Sequence, residues 1–256
     1  MFAYAVQHDV QTKPDAAWIA LIPYVRLGLL GVPVLAALIL GSSLIGSELE
    51  QGTVAFAWSL SSSRRRWLFE TSGAGLLLAL ITTLPVAAAS GLLSASLGPM
   101  LDATSSPVAI DPSALLVLAR PLAAFGVAAL CGIILGRPTT TLMVALIFSC
   151  VVLGAVEVGF SAWRDSEVTL VDTSDPGVLY VGDRLASPNG DLLDDSRTKQ
   201  LLQTDPHALE EYQLMPVGLM PDSRERMMVA ETAVYLLVCA GSVVLGAVAV
   251  DRRGVG

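Results

Sequence analysis

Five apolar runs separated by short polar punctuation dominate the chain. The first spans 27–46 (LGLLGVPVLAALILGSSLIG), the second 72–97, the third 117–136, the fourth 140–162 and the fifth 228–250. Each is near the roughly 20 residues needed to cross about 30 Å of hydrocarbon at about 1.5 Å per residue. The second contains Pro85, which a membrane helix tolerates when neighbours satisfy the freed carbonyl. Gly136-Arg137-Pro138 stops the third run and starts the fourth, so these two form an antiparallel hairpin. The pattern predicts an all-α, polytopic transmembrane bundle of about five helices.

Composition supports the bilayer. Hydrophobic residues make up 54% and charged residues 15% of the 256 positions, against roughly 25% charged in an ordinary soluble domain. The net charge of −8 comes mostly from residues 164–227, where thirteen Asp/Glu face six Lys/Arg. Nucleic-acid binding has no basic patch to rest on. Arginine outnumbers lysine 13 to 2 and Ala, Leu, Val and Gly dominate, the usage of a GC-rich bacterial genome. Cys131, Cys150 and Cys239 lie in apolar runs and read as small packing residues rather than a disulfide or metal set.

Positive charge orients the spans. Arg64-Arg65-Arg66, Arg137 and Arg252-Arg253 mark three connections that share one side by alternation. That side is cytoplasmic by the positive-inside rule, with the C-terminus on it. Residues 1–26 then form an external N-terminal linker, in which Ala16 to Pro23 is too short to span. Residues 27–163 hold helices one to four with a cytoplasmic loop at 47–71. Residues 164–227 form an external acidic loop, and 228–256 the last helix and cytoplasmic tail. An N-terminus that starts outside without a signal peptide raises the expectation that a helix precedes Met1.

The loop between the first two spans carries the most information. It reads Glu48-Leu49-Glu50-Gln51-Gly52-Thr53, then an apolar stretch with Phe56 and Trp58, then Arg64-Arg65-Arg66-Trp67-Leu68. Gly52 can break or bend a helix. The stretch after it is too short to span, so it lies in the headgroups or against a partner. This block resembles the ABC-2-type transporter permeases, whose actinobacterial members carry a stretch of the form E-x-E-x-G-T…R-x-R-W-L. Gly31-Val32-Pro33 loosely echoes an earlier G-x-P element, and the hairpin at Gly136, the long loop before the last helix and the Arg252-Arg253 end extend the likeness. The resemblance implies six helices, the first of which this chain lacks. It also implies a coupling element at Glu48, Glu50, Gly52, Thr53, Phe56 and Trp58 that seats in an ATP-binding-cassette ATPase subunit, and a second permease subunit in a homo- or heterodimer. The other reading of the loop is a headgroup anchor, with Arg64, Arg65 and Arg66 on lipid phosphates; the two roles are compatible.

Chemistry within the chain is sparse. No P-loop is present, so ATP and its magnesium would belong to a partner, and the chain itself calls for no cofactor. His8 and His207 are isolated and G-x-S-x-G is absent. Three charges fall inside the spans near their external ends: Arg120, Glu157 and Glu231. They form either a polar cluster at the mouth of a substrate pathway or three side chains reaching separately to the outer headgroups. In residues 164–227 a helix is expected over 206–214, within either a small folded cap or a flexible loop. Met215, Leu219, Met220, Met227 and Met228 pack on the bundle or dip into the outer leaflet. Ala37/Gly41 and Ser90/Ser94, spaced four apart, permit close helix contact. The functional expectation is the membrane subunit of an ATP-driven exporter of a hydrophobic or amphipathic cargo in a bacterial cell membrane. The competing expectation is a sensor or assembly protein that binds a ligand or partner through its external loop.

Overall fold

A computed structural model describes residues 16–52, 63–102, 114–170, 179–186, 192–193 and 212–252. It contains five long helices: α1 (Ala16–Glu50), α2 (Arg64–Asp102), α3 (Ala114–Leu135), α4 (Pro138–Glu167) and α5 (Pro221–Arg252). All five are long and apolar enough to cross a membrane, which makes the fold an all-α polytopic bundle. A three-stranded antiparallel sheet joins α4 to α5, with strands β1 (Thr169–Leu170), β2 (Leu179–Ala186) and β3 (Gln213–Leu219) in the order β1-β3-β2.

Helix α3 is the axis of the bundle. Of its spanning window 78% is buried, against 11% for α4. Its sequence explains this position, because Ala119, Ala123, Ala124, Gly126, Ala128, Ala129 and Gly132 keep its surface small on every side. Lipid tails are as apolar as leucine, so membrane helices associate through close packing of such residues. A Cβ on Gly126 would lie 2.9 Å from Cys239 Cα of α5, and one on Gly41 would lie 2.8 Å from the Phe125 carbonyl of α3. Both glycines are therefore required by close backbone approach. Gly41 and the buried Ala37 thus lie on the packed face of α1, while Ser90 of α2 is fully buried.

The hairpin forms as the sequence predicts. Gly136 takes φ +66°, its N–H donates to the Gly132 carbonyl at 2.9 Å, and Arg137 is extended before Pro138. The C-termini of α1, α3 and α5 and the N-termini of α2 and α4 share one end. There a Cβ on Gly46 would meet Pro138 Cα at 3.2 Å, and Trp67 and Leu68 pack with Ile45, Ile133, Ala247 and Val250. Arg64, Arg65, Arg66, Arg137 and Arg252 lie at this arginine end. The sheet lies at the other.

Several expectations change. Helix α1 begins at Ala16, so residues 16–26 extend the first helix and are not a linker; the stretch is too short to span alone but adds turns to one that does. Helices α4 and α5 run to Glu167 and from Pro221, taking both ends of the segment expected as a loop. Gln213 and Leu214 are strand rather than the end of a helix; residues 206–211 lie outside the described residues. The strand forms because β3 finds partners in β1 and β2, with Leu185 opposite Leu214 and Thr169 opposite Gly218. Val168, Val217, Leu219 and Met227 make a small core under the sheet, so Leu219 and Met227 pack inward while Met220 is exposed. Cys150 is exposed on α4 whereas Cys131 and Cys239 are buried, so Cys150 does not share their packing role.

Candidate functional site

The two ends of the bundle hold different ionic chemistry. Near the sheet end, Arg120 projects from α3 between α4 and α5. Its Nη2 donates to Glu157 Oε2 of α4 at 2.8 Å and to Glu231 Oε1 of α5 at 2.9 Å. Its Nε lies 3.4 Å from Tyr235 Oη, and its Cζ sits 5.7 Å from the Tyr235 ring centroid. Arg164 Nη2 is 3.9 Å from the other Glu157 oxygen. Two arginines and two glutamates therefore balance in charge, which a low-dielectric site requires. Arg120, Glu231 and Tyr235 are buried; Glu157 is partly open.

Local sequence aims these groups together. Glu231 and Tyr235 are one turn apart on α5, and Glu157 and Arg164 two turns apart on α4, so each pair shares a face. Pro121 follows Arg120 inside α3 and cannot supply the N–H that would bond the Val117 carbonyl. Counted along the helices from the arginine end, Arg120, Glu157 and Glu231 sit about 22, 28 and 31 Å away. The cluster therefore lies near the far boundary of a hydrocarbon layer about 30 Å thick. The three charges do not reach separately to headgroups: one guanidinium gathers both carboxylates, because α3 is central and presents Arg120 to both neighbours at once. Tyr235 and Arg164 complete the site and were not singled out in the sequence, although their i+4 and i+7 spacing to the glutamates was the available signal.

At the arginine end, Glu48 and Glu50 lie in the last turn of α1, and Gly52 follows with φ +70°. In that left-handed conformation its N–H donates to the Leu49 carbonyl at 3.4 Å, a glycine C-cap that stops the helix. Thr53, Phe56 and Trp58 lie outside the described residues. The Trp67 side chain hydrogen-bonds Glu48, joining the end of α1 to the first turn of α2. Ser63 accepts from the Arg66 N–H at 3.2 Å as the cap of α2. Arg65 pairs with Asp251 of α5, and Arg66 with Glu70 at 2.7 Å. Arg65 and Arg66, both expected on lipid phosphates, thus have carboxylate partners, Glu70 because it lies one turn on from Arg66 and Asp251 because α5 ends alongside.

Between α3, α4 and α5 the bundle carries an open apolar groove of about 480 Å³, whose lining includes Val127 and Val152 and the exposed Ile134, Phe148, Leu237 and Leu245. It extends from the arginine end toward the middle of the bundle, on the arginine side of the Arg120 cluster. Among the described residues no group of His, Cys, Asp and Glu is arranged to hold a metal ion.

No curated protein and no solved structure matches the chain. Residues 4–161, which run from before α1 through the Gly52 cap and the hairpin into α4, match the family described as ABC-2 membrane transporter related. With that match covering more than half its length, the chain belongs to the ABC-2 membrane transporter related family and is a multi-pass membrane permease component of an ABC transporter.

Proposed function

We propose that the chain is the membrane subunit of an exporter driven by ATP that a separate ATP-binding-cassette subunit hydrolyses, with a second permease subunit, identical or related, completing the pathway in a bacterial cytoplasmic membrane. The family match over residues 4–161 carries this reading. The arginine end is the cytoplasmic end, by the distribution of Arg64–Arg66, Arg137 and Arg252-Arg253. Glu48, Glu50, Gly52, Thr53, Phe56 and Trp58 form the surface against which the ATPase docks. Arg64, Arg65 and Arg66 sit at the headgroup level beside it. The sheet and the acidic segment then face outward, and the Arg120–Glu157–Glu231 cluster lies at the outer mouth. ATP and magnesium belong to the ATPase.

The open apolar groove between α3, α4 and α5 supports a hydrophobic or amphipathic cargo. A site of about 480 Å³ falls within the range of about 300–1,000 Å³ typical of small-molecule sites. Transport then depends on two packings of the helices whose balance ATP binding shifts.

Purification of the tagged chain from native membranes should recover a P-loop ATPase at a stable stoichiometry. Glu50→Ala should leave the permease subunits together and lower ATP-linked transport. Recovery of no nucleotide-hydrolysing companion under mild extraction would overturn the assignment.

A further inference from the structure

The segment expected to meet the ATPase leads into the first turn of α2. That turn packs against α1 and α5 and against the central α3. Arg65 pairs with Asp251 in the last turn of α5. Leu68 is fully buried and Trp67 nearly so, and both belong to one apolar core with Ala247 and Val250 of α5, Ile45 of α1 and Ile133 of α3. Gly246 lets Leu68 and Ile133 approach the α5 backbone. On the other side, Trp67 bonds Glu48 at the end of α1. Helix α4 contributes no residue to this core.

From Asp251 the helix runs back through 20 residues without a proline to Glu231, about 30 Å at a rise of about 1.5 Å per residue. There the same helix carries Glu231 and Tyr235, both on Arg120. Helix α4 could not play this part. Its buried residues, Thr141, Ala145 and Ser149, all lie in the half near the hairpin, and the charged contact of Glu157 with Arg120 is made from a partly open position.

We propose that α5 is the transmission rod of this permease: displacement of the first turn of α2 passes through Arg65, Trp67 and Leu68 into the Asp251 end of α5 and is delivered 20 residues away as a change in the Glu231–Arg120–Glu157 cluster. The proposal rests on the reading that an ATPase docks at the arginine end. An uninterrupted helix moves as a unit, so a small shift at one end reaches the other with little loss. The cluster converts it into a change of partners. Arg120 has carboxylates on two helices, and Glu157 has a second arginine, Arg164, at 3.9 Å. Movement of Glu231 with α5 draws Arg120 away from Glu157, which passes to Arg164, and α4 and α5 separate at the level of the outer mouth.

The test uses the complex of the full chain with its co-purified ATPase in nanodiscs. Spin labels are placed at Val158→Cys on α4 and Val229→Cys on α5, both exposed beside the cluster, in a Cys131→Ala, Cys150→Ala, Cys239→Ala background. Their distance distribution is read without nucleotide and after trapping with ATP and vanadate. The expected result is a nucleotide-dependent lengthening in the parent, its loss in Arg65→Glu, and its return when Asp251→Arg restores the pair with reversed charge. Leu68→Ala should also diminish it. No lengthening in the parent, or lengthening that survives in both Arg65→Glu and Leu68→Ala, would overturn the rod. So would a loss in Arg65→Glu that Asp251→Arg leaves unrepaired. Absence of any ATPase from the preparation would instead strike the exporter reading itself, together with the rod that rests on it.

Discussion

The same pair of chemical groups, a guanidinium and a carboxylate, meets in two settings at opposite ends of this bundle. Arg65 and Asp251 have side chains that are 62% and 37% exposed, whereas those of Arg120 and Glu231 are 8% and 3% exposed. In the first setting water and salt compete for both charges, and such pairs contribute between nothing and about 1 kcal/mol. In the second, each charge has lost its hydration and survives only because the other is present, so removing one strands the other. An exposed pair is cheap to break and remake, which suits a contact that must respond to a partner. A buried pair resists single changes and suits a part that exchanges carboxylates without ever leaving a charge alone.

The sharpest way to break this contrast is Arg120→Ala. It leaves Glu231 buried without its cation, and loss of about 3–5 kcal/mol of stability is expected, read as a large fall in the unfolding temperature of detergent-solubilised protein or failure to accumulate in the membrane. An Arg120→Ala protein as stable as the parent would show that the cluster is hydrated and the contrast false. Glu231→Gln comes next. Arg120 keeps Glu157, and a neutral amide replaces a fully buried charge, so a loss of about 2 kcal/mol is expected by the same measurement. Glu157→Gln, at the partly open position, should cost less than Glu231→Gln; the reverse order would contradict the burial difference between α4 and α5.

At the other end the effects should be small. Gly136→Ala places a Cβ on a residue at φ +66° and should cost about 1 kcal/mol, which thermal unfolding can resolve. The Arg65–Asp251 coupling from a double-mutant cycle should be smallest, about 0.5 kcal/mol, and should shrink further as salt is raised. A coupling above about 2 kcal/mol would mean that the pair is desolvated in the assembled membrane protein, for instance beneath the docked ATPase.

Legibility in the sequence follows the range of the interactions. Apolar runs of spanning length announce helices residue by residue, so all five were readable, as was the hairpin, because Gly136, Arg137 and Pro138 act on their immediate neighbours. The glycine cap at Gly52 was readable for the same reason. Helix ends were not. Leu27 looked like the start of α1, yet helix continues back to Ala16, because hydropathy marks where the bilayer lies and not where backbone hydrogen bonding stops.

The strand pairing was hidden as well. Residues 213–219 hold their extended form through partners at 169–170 and 179–186, and nothing nearby in the chain reveals them. The charged cluster was half visible: the three residues stood out as anomalies within apolar spans, but their meeting depended on how α3, α4 and α5 are arranged around one another.

From composition and hydropathy alone, the membrane embedding of this protein and the apolar spans of its five described helices follow, since each depends on the free energy of moving a segment from water to hydrocarbon. Placing α3 at the centre, closing one arginine on two distant glutamates and ending α5 beside the start of α2 required the folded arrangement. Those outcomes are set by the fit of small side chains between helices, a property of surfaces in contact that no single segment carries.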